Sequence, residues 1–295
     1  PLTYGGSMKQ APHFPPWPSA FTLDALRRAW LSVRGNKGTS GPDGETLAEF
    51  ERNLETQLGR LRDELLNGAY RPRRVTQILV PKSSSGWRPL SLWAIRDRVA
   101  QRAVHNYLEP VFEPHFLPCS YGFRPGRTTR DAALAIHKAG RAGAQWVLDA
   151  DIKDCFGQMD NGRLLRRLQN WQVPTPLIEL IGRWLHARVW NAWLGGRTAG
   201  TSQGGAISPL LCNVYLHPFD QAMQRRGLWF IRFADDFVAL SRDQATIQQA
   251  EQWATAGLRG LGLELHPQKT RITTFEAGFQ FVGWFFLRDE LHELK

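Results

Sequence analysis

The chain has 295 residues, 42% of them hydrophobic, with 37 Lys and Arg against 27 Asp and Glu, a net charge of +10 and a pI near 10.0. That is enough for one or two globular domains with a sizeable core, and no apolar run reaches bilayer length, so no membrane partner is expected. Three scattered cysteines, Cys119, Cys155 and Cys212, exclude a disulfide framework or a zinc cluster and suit a reducing cytoplasm, while basic residues interleaved with many of the 12 Trp and 16 Phe favour nucleic acid over a small acidic substrate.

Residues 1–20 are rich in proline, contain Gly5-Gly6-Ser7 and lack an apolar period, which predicts a linker or tail. Phe21 to Val33 predicts a short basic helix, and the glycines of 34–44 forbid regular structure there. Thr46 and Glu49 form a capping box ahead of Leu47, Phe50, Leu54, Leu58, Leu61 and Leu65, whose steps of three and four predict one amphipathic helix. From Arg71 the period shortens to two, predicting a hairpin of 71–82 and 87–91 across the Ser83 to Gly86 turn. Lys82 and Arg88 flank that turn from opposite strands, where an ammonium and a guanidinium could close over a triphosphate or could simply keep a solvated edge from aggregating. A helix from Ile95 to Leu108 is expected to stop at Pro110. The basic and aromatic loop 119–127, with Arg124 and Arg127, then suits backbone contacts to a nucleic-acid strand and opens a helix near Thr129.

Two acidic stretches carry the chemistry. In 146–156 the alternation sets Trp146, Leu148, Ala150 and Ile152 on one face and Val147, Asp149 and Asp151 on the other. In 229–241, Asp235 and Asp236 sit between two apolar runs, as acid at the tip of a hairpin. An Asp-Asp pair by itself is an ordinary turn. In a largely buried hairpin, however, two like charges need a counter-charge, and a divalent cation could supply it. If Asp151 joins the tip, three carboxylates give the oxygen donor set that magnesium prefers, with positions left for triphosphate oxygens, and a second ion would complete an in-line phosphoryl-transfer site. Asp149 could equally face water and is left out of the site. Between the acidic stretches, Ser208 and Pro209 mark a helix start preceded by a flexible turn carrying Gln203.

The residues Asp151-Ile-Lys, Ser202-Gln-Gly-Gly-Ala-Ile-Ser-Pro-Leu-Leu, Phe233-Ala-Asp-Asp236 and Leu261-Gly-Leu-Glu-Leu-His-Pro-Gln-Lys-Thr-Arg271 resemble, in order and spacing, the palm motifs of group II intron-like reverse transcriptases. Arg88-Pro-Leu and Tyr121-Gly-Phe-Arg-Pro-Gly-Arg127 resemble that family's fingers motifs, and the likeness runs from about Gly35 to Phe286. One departure is that the acidic hairpin motif begins with Phe233 where the family commonly has tyrosine.

The resemblance implies an α+β right-hand polymerase: residues 21–125 as fingers, 126–295 as palm with helices on one face of an antiparallel sheet, and a fingers-associated insertion near 160–205. It implies that Asp151, Asp235 and Asp236 bind two Mg2+ ions, with Mn2+ as a substitute, and that Lys82 and Arg88 neutralise the incoming triphosphate. It also makes Phe156 an aromatic steric gate and Gln203 a nucleotide contact. Lys269 would lie near the primer terminus, and the hairpin of Phe281 and Gly283 would grip the primer. The implied activity is RNA-directed DNA synthesis from an RNA template, a DNA primer and dNTPs. The sequence ends just past the last motif, so the helical thumb is expected to be absent or incomplete, and the layout resembles the branch linked to a CRISPR integrase slightly more than a mobile-intron protein bound to intron RNA. A non-catalytic RNA-binding scaffold and a template-independent defence polymerase are the competing readings.

Overall fold

Thr22 starts the first helix, its hydroxyl accepting from the Ala25 amide, and Leu26, Ala29, Trp30 and Val33 then turn one buried stripe inward at the helical period. The computed structural model describes residues 12–81, 87–187, 189–191, 196–197 and 204–294. In chain order the elements are α1 (Leu23–Gly35), α2 (Leu47–Arg52), α3 (Leu54–Leu66), β1 (Val75–Pro81), β2 (Trp87–Leu92), α4 (Ile95–Phe112), α5 (Thr129–Arg141), β3 (Trp146–Asp151), α6 (Cys155–Gln158) and α7 (Asn161–Asn170). There follow α8 (Thr175–Leu185), β4 (Val189–Asn191), β5 (Gly196–Arg197), α9 (Ser208–Gln224), β6 (Trp229–Phe233), β7 (Asp236–Ser241), α10 (Gln244–Leu261), β8 (Arg271–Thr274), β9 (Phe279–Phe281), β10 (Trp284–Leu287) and β11 (Glu290–Glu293). The chain divides into two units, Pro1–His115 with Asn161–Ser208, and Phe116–Asp160 with Pro209–Lys295.

In the first unit, β1 pairs antiparallel with β2 and parallel with β4, giving a four-stranded sheet ordered β2-β1-β4-β5. Asp97, fully buried on α4, accepts from the Tyr70 hydroxyl at 2.6 Å and the Arg73 amide at 2.9 Å, and Tyr70 in turn accepts from the Trp184 indole on α8. Three expectations change here. The Thr46 and Glu49 capping box forms, but the single helix breaks at Asn53 into α2 and α3. The apolar period runs straight through the break, so periodicity alone could not reveal it. Helix α4 continues past Pro110 to Phe112. Proline removes one backbone bond close to the helix end, and Leu108 and Phe112, both fully buried, hold the last turn in place. The described end of the predicted tail, from residue 12 on, also joins the core: residues 17–21 form a 3-10 helix burying Ala20 and Phe21, and the Phe14 ring meets Phe112 edge-on at 5.9 Å.

The second unit is built on the antiparallel sheet β6-β7-β3-β8. One face of it carries Phe230 and Phe237, which meet Phe219 of α9 at 5.5 and 5.2 Å between ring centroids. Gly257 of α10 approaches the same Phe219 ring, so α9 and α10 pack on this side. On the other face, Val147, Ile231, Val238 and Leu240 cluster with Ala132, Ala133 and Ile136 of α5 and with Phe279, Phe281 and Phe286 of the small sheet β11-β10-β9. This second face is therefore covered at its Trp146 end. Its other end is acidic.

Candidate active site

The strand register decides which carboxylates meet. Asp151, the last residue of β3, lies directly opposite Asp236, the first of β7. Between β6 and β7 the chain turns through Ala234, whose φ of 58° puts a non-glycine residue in the left-handed region. The turn is fastened to the end of β3, because the Ile152 amide donates to the Asp235 carbonyl at 3.1 Å. From the other side, the His266 amide donates to the Asp151 carbonyl at 2.8 Å and the Lys153 amide to the Glu264 carbonyl at 3.0 Å. Three chain segments distant in sequence thus converge on Asp151.

The electrostatics follow from that convergence. Burial, followed by the neighbouring charges of Asp235 and Asp151, pushes the Asp236 carboxyl up to about 7. Asp235 is also raised, again chiefly by burial, with Asp151 adding to it. The cation at hand is Lys269, whose Nζ donates to Asp151 Oδ2 at 2.6 Å while 56% of its side chain remains exposed. That hydrogen bond raises the Lys269 pKa. Asp149 is engaged elsewhere, its Oδ2 accepting from Arg271 Nε and Nη2, both at 3.0 Å, across the β3–β8 pair.

Do these residues suit a divalent cation? The donor set is all carboxylate, hard oxygen of the kind Mg2+ and Mn2+ take. Burial and the neighbouring Asp151 charge raise Asp235 and Asp236, and a cation among them would remove that cost. Among the described residues, no three acidic, His or Cys side chains are already drawn into ligand geometry. The chemistry fits, and Lys269 is the group that now compensates Asp151.

The other predicted residues fall into three groups. Lys82 and Gln203 lie outside the described residues, and Arg88 is placed on β2 opposite Val80. Gly204, next to Gln203, has φ of 115° and a Cβ there would lie 2.7 Å from the Ser91 carbonyl, so this turn requires glycine. Phe156 is half-buried on α6, and Gly283 is exposed in the β9–β10 turn with φ of 86°.

Three side chains expected against nucleic acid have partners within the protein, two of them buried. Arg124 is only 8% exposed, and its Nη1 donates to the Leu117 and Ser120 carbonyls at 2.7 and 2.9 Å while its guanidinium lies over the Phe116 ring. Arg127 Nη1 donates to the Pro118 and Ser120 carbonyls, over Tyr121. Both arginines staple their own loop, because a carbonyl-rich turn needs donors that a proline-containing backbone lacks. Phe281 is 3% exposed within the aromatic cluster, leaving the turn of Val282 and Gly283 as the outward part of that hairpin. The loop's outward aromatic is Phe123, 42% exposed with φ of 61°. Replacing Arg124 by Ala should accordingly cost stability, about 2 kcal/mol for the lost charged hydrogen bonds. In a salt titration of RNA binding its slope should match that of the unaltered chain, and a shallower slope would return Arg124 to the phosphate contacts.

Arg232 belongs to none of the motifs above. It is fully buried near the end of β6 and bonded to Asp220, Asn213, Ser120 and the Ala234 carbonyl. Its signal was an arginine within the apolar run 229–233, a position where a charge persists only if partnered.

An antiparallel sheet presenting carboxylates from two adjacent strands at one end is the palm of a right-hand polymerase. The family described as Reverse transcriptase (RNA-dependent DNA polymerase) matches residues 80–286, and the chain belongs to it. Protein YkfC of Escherichia coli K12 is 30% identical over 306 residues, covering 90% of this chain and 80% of that protein. The group II intron-encoded protein LtrA of Lactococcus lactis is 33% identical over 208 residues. The match covers 69% of this chain and 34% of LtrA, so the chain spans about a third of that relative's length. The structure of a Candida tropicalis telomerase truncated from its C-terminal domain superposes with a TM-score of 0.58 at 14% identity, over 75% of this chain and 55% of that one, a likeness of fold alone.

Proposed function

We propose that this chain copies RNA into DNA, joining the primer 3′-oxygen to the α-phosphorus of a dNTP with release of pyrophosphate. The observation that supports this most is Asp151 facing Asp236 across β3 and β7, with Asp235 fastened beside them. In this reading Asp151, Asp235 and Asp236 hold one or two Mg2+ ions, which when bound supply the positive charge that the triphosphate and the attacking and leaving oxygens need. Lys269 keeps Asp151 oriented, and its exposed, flexible stem lets the ammonium turn to a primer phosphate. Lys82 and Arg88 neutralise the triphosphate, Gln203 touches the nucleotide, and the exposed backbone at Gly283 meets the primer. The first unit serves as fingers and the second as palm. LtrA's name ties it to a group II intron, which favours an intron-like lineage for this chain, and a partnership with an integrase rests on sequence layout alone. The three free, buried cysteines suit a cytoplasmic setting.

Primer extension with dNTPs on an RNA template, on a DNA template and without template is the test. Products complementary to the RNA support the reading, and products unrelated to any template would indicate a template-independent polymerase. RNA binding without any incorporation would leave a scaffold. Within the same assay, Phe156→Ala should raise ribonucleotide use relative to deoxynucleotide by about 10²-fold, the scale of a pocket that loses steric exclusion. An unchanged ratio would make Phe156 a packing residue.

A further inference from the structure

The guanidinium of Arg232 has five N–H donors, and the structure gives them five partners. Nε donates to Asp220 Oδ1 at 2.6 Å, and Nη2 donates to Asp220 Oδ2 at 2.7 Å and Ser120 Oγ at 2.9 Å. Nη1 donates to Asn213 Oδ1 at 3.2 Å and to the Ala234 carbonyl at 2.8 Å. The last bond matters most, because Ala234 is the left-handed residue that turns the chain into Asp235 and Asp236. A left-handed alanine is unfavourable and persists only where its surroundings over-determine it.

Arg232 stands at the centre of those surroundings. Its amide donates to the Cys119 carbonyl and its carbonyl accepts from the Tyr121 amide, both at 2.8 Å, which lays the 119–122 loop along β6. Asn213 Nδ2 holds the same loop through the Gly122 carbonyl at 2.9 Å. Gly122 lies so close to the turn that a Cβ there would be 2.3 Å from the Ala234 amide nitrogen. The loop is thus a backstop for the turn, and α9 supplies Asp220 and Asn213 as its anchor.

We propose that Arg232, locked by Asp220, is the positioning residue of the catalytic turn: through the Ala234 carbonyl and the Ser120 to Gly122 loop it sets Asp235 and Asp236 opposite Asp151. This rests on the polymerase reading above for its catalytic consequence, though not for its geometry. A lysine offers three donors from a point and cannot bind a carboxylate as a fork while also reaching the Ala234 carbonyl.

The test separates positioning from mere stability. Arg232→Met with Asp220→Leu removes both buried charges together at similar volume, a change that often leaves stability intact, and Arg232→Lys keeps the charge without the fork. For the double variant, the melting temperature and RNA affinity should stay close to those of the unaltered chain and KM for dNTP should hardly move. The turnover should fall ~10²-fold, the scale of a misplaced reacting group. Arg232→Lys should not restore it. Independently of activity, amide exchange at Ile152, which bonds to the Asp235 carbonyl, should quicken by roughly 10-fold or more while amides in the middle of β3 and β7 keep their protection. A double variant with unaltered turnover, or with unaltered Ile152 exchange, overturns the proposal. If the unaltered chain incorporates no nucleotide, the polymerase reading falls, and the Ile152 exchange alone decides whether Arg232 positions the turn.

Discussion

Replacing Asp235 and Asp236 together by Ala is expected to lower RNA-templated dNTP incorporation by at least about 10⁴-fold, since bound ions contribute several kcal/mol to such a transition state. RNA affinity should change little, because phosphate contacts are made by cations and not by these carboxylates. Stability offers a second signature. Both carboxyls are raised above their ordinary range, chiefly by burial, with Asp151 adding to both and Asp235 to Asp236, so their ionised forms oppose folding. In chelator-containing buffer near neutral pH, the double variant should therefore melt no lower than the unaltered chain. Single-turnover extension, filter binding and a thermal melt check the three parts. Incorporation within ~10-fold of the unaltered chain, a loss of little more than 1 kcal/mol, would move the active site elsewhere.

The largest loss of stability is expected at Asp220, the buried partner of Arg232. Asp220 and Arg232 are both 0% exposed, and Asp220→Ala leaves a fully buried guanidinium without its fork partner. Breaking such a pair from one side costs about 3–5 kcal/mol, against well under 1 kcal/mol for most exposed pairs. For a chain of this size that corresponds to a melting temperature lower by roughly 10 °C. The exposed pair of Arg288 and Glu276, each 70% exposed at 2.6 Å, provides the contrast, since Glu276→Ala should barely shift the melt. Equal shifts for the two variants would mean that burial does not govern this ion pair. An Asp220→Ala melt unchanged from the parent would mean that the cavity takes in water or a substitute anion.

Much of the palm was legible because its signals are local. Val147, Asp149 and Asp151 share a face by alternation alone, and the paired aspartates between two apolar runs announced a hairpin whose turn the structure places at Ala234 and Asp235. Arg124, Arg127 and Phe281 carried no local sign of their partners, because a basic or aromatic residue in a loop has the same appearance whether it faces solvent or its own backbone, and the structure shows both arginines bonded to loop carbonyls and Phe281 buried. Pro110 looked like a helix stop because its covalent penalty is readable and the burial of Phe112 that offsets it is not.

The sequence by itself determined the order of the elements, the segregation of acid onto one side of β3 and the family to which the chain belongs, since period, spacing and motif order are properties of the chain as written. Tertiary structure alone decided that Asp151 stands opposite Asp236, that Lys269 and not Arg271 compensates it, and that Arg232 holds the turn. Strand register and burial join residues more than 80 positions apart, and the partner that makes a buried charge tolerable is fixed by packing rather than by any neighbour in the chain.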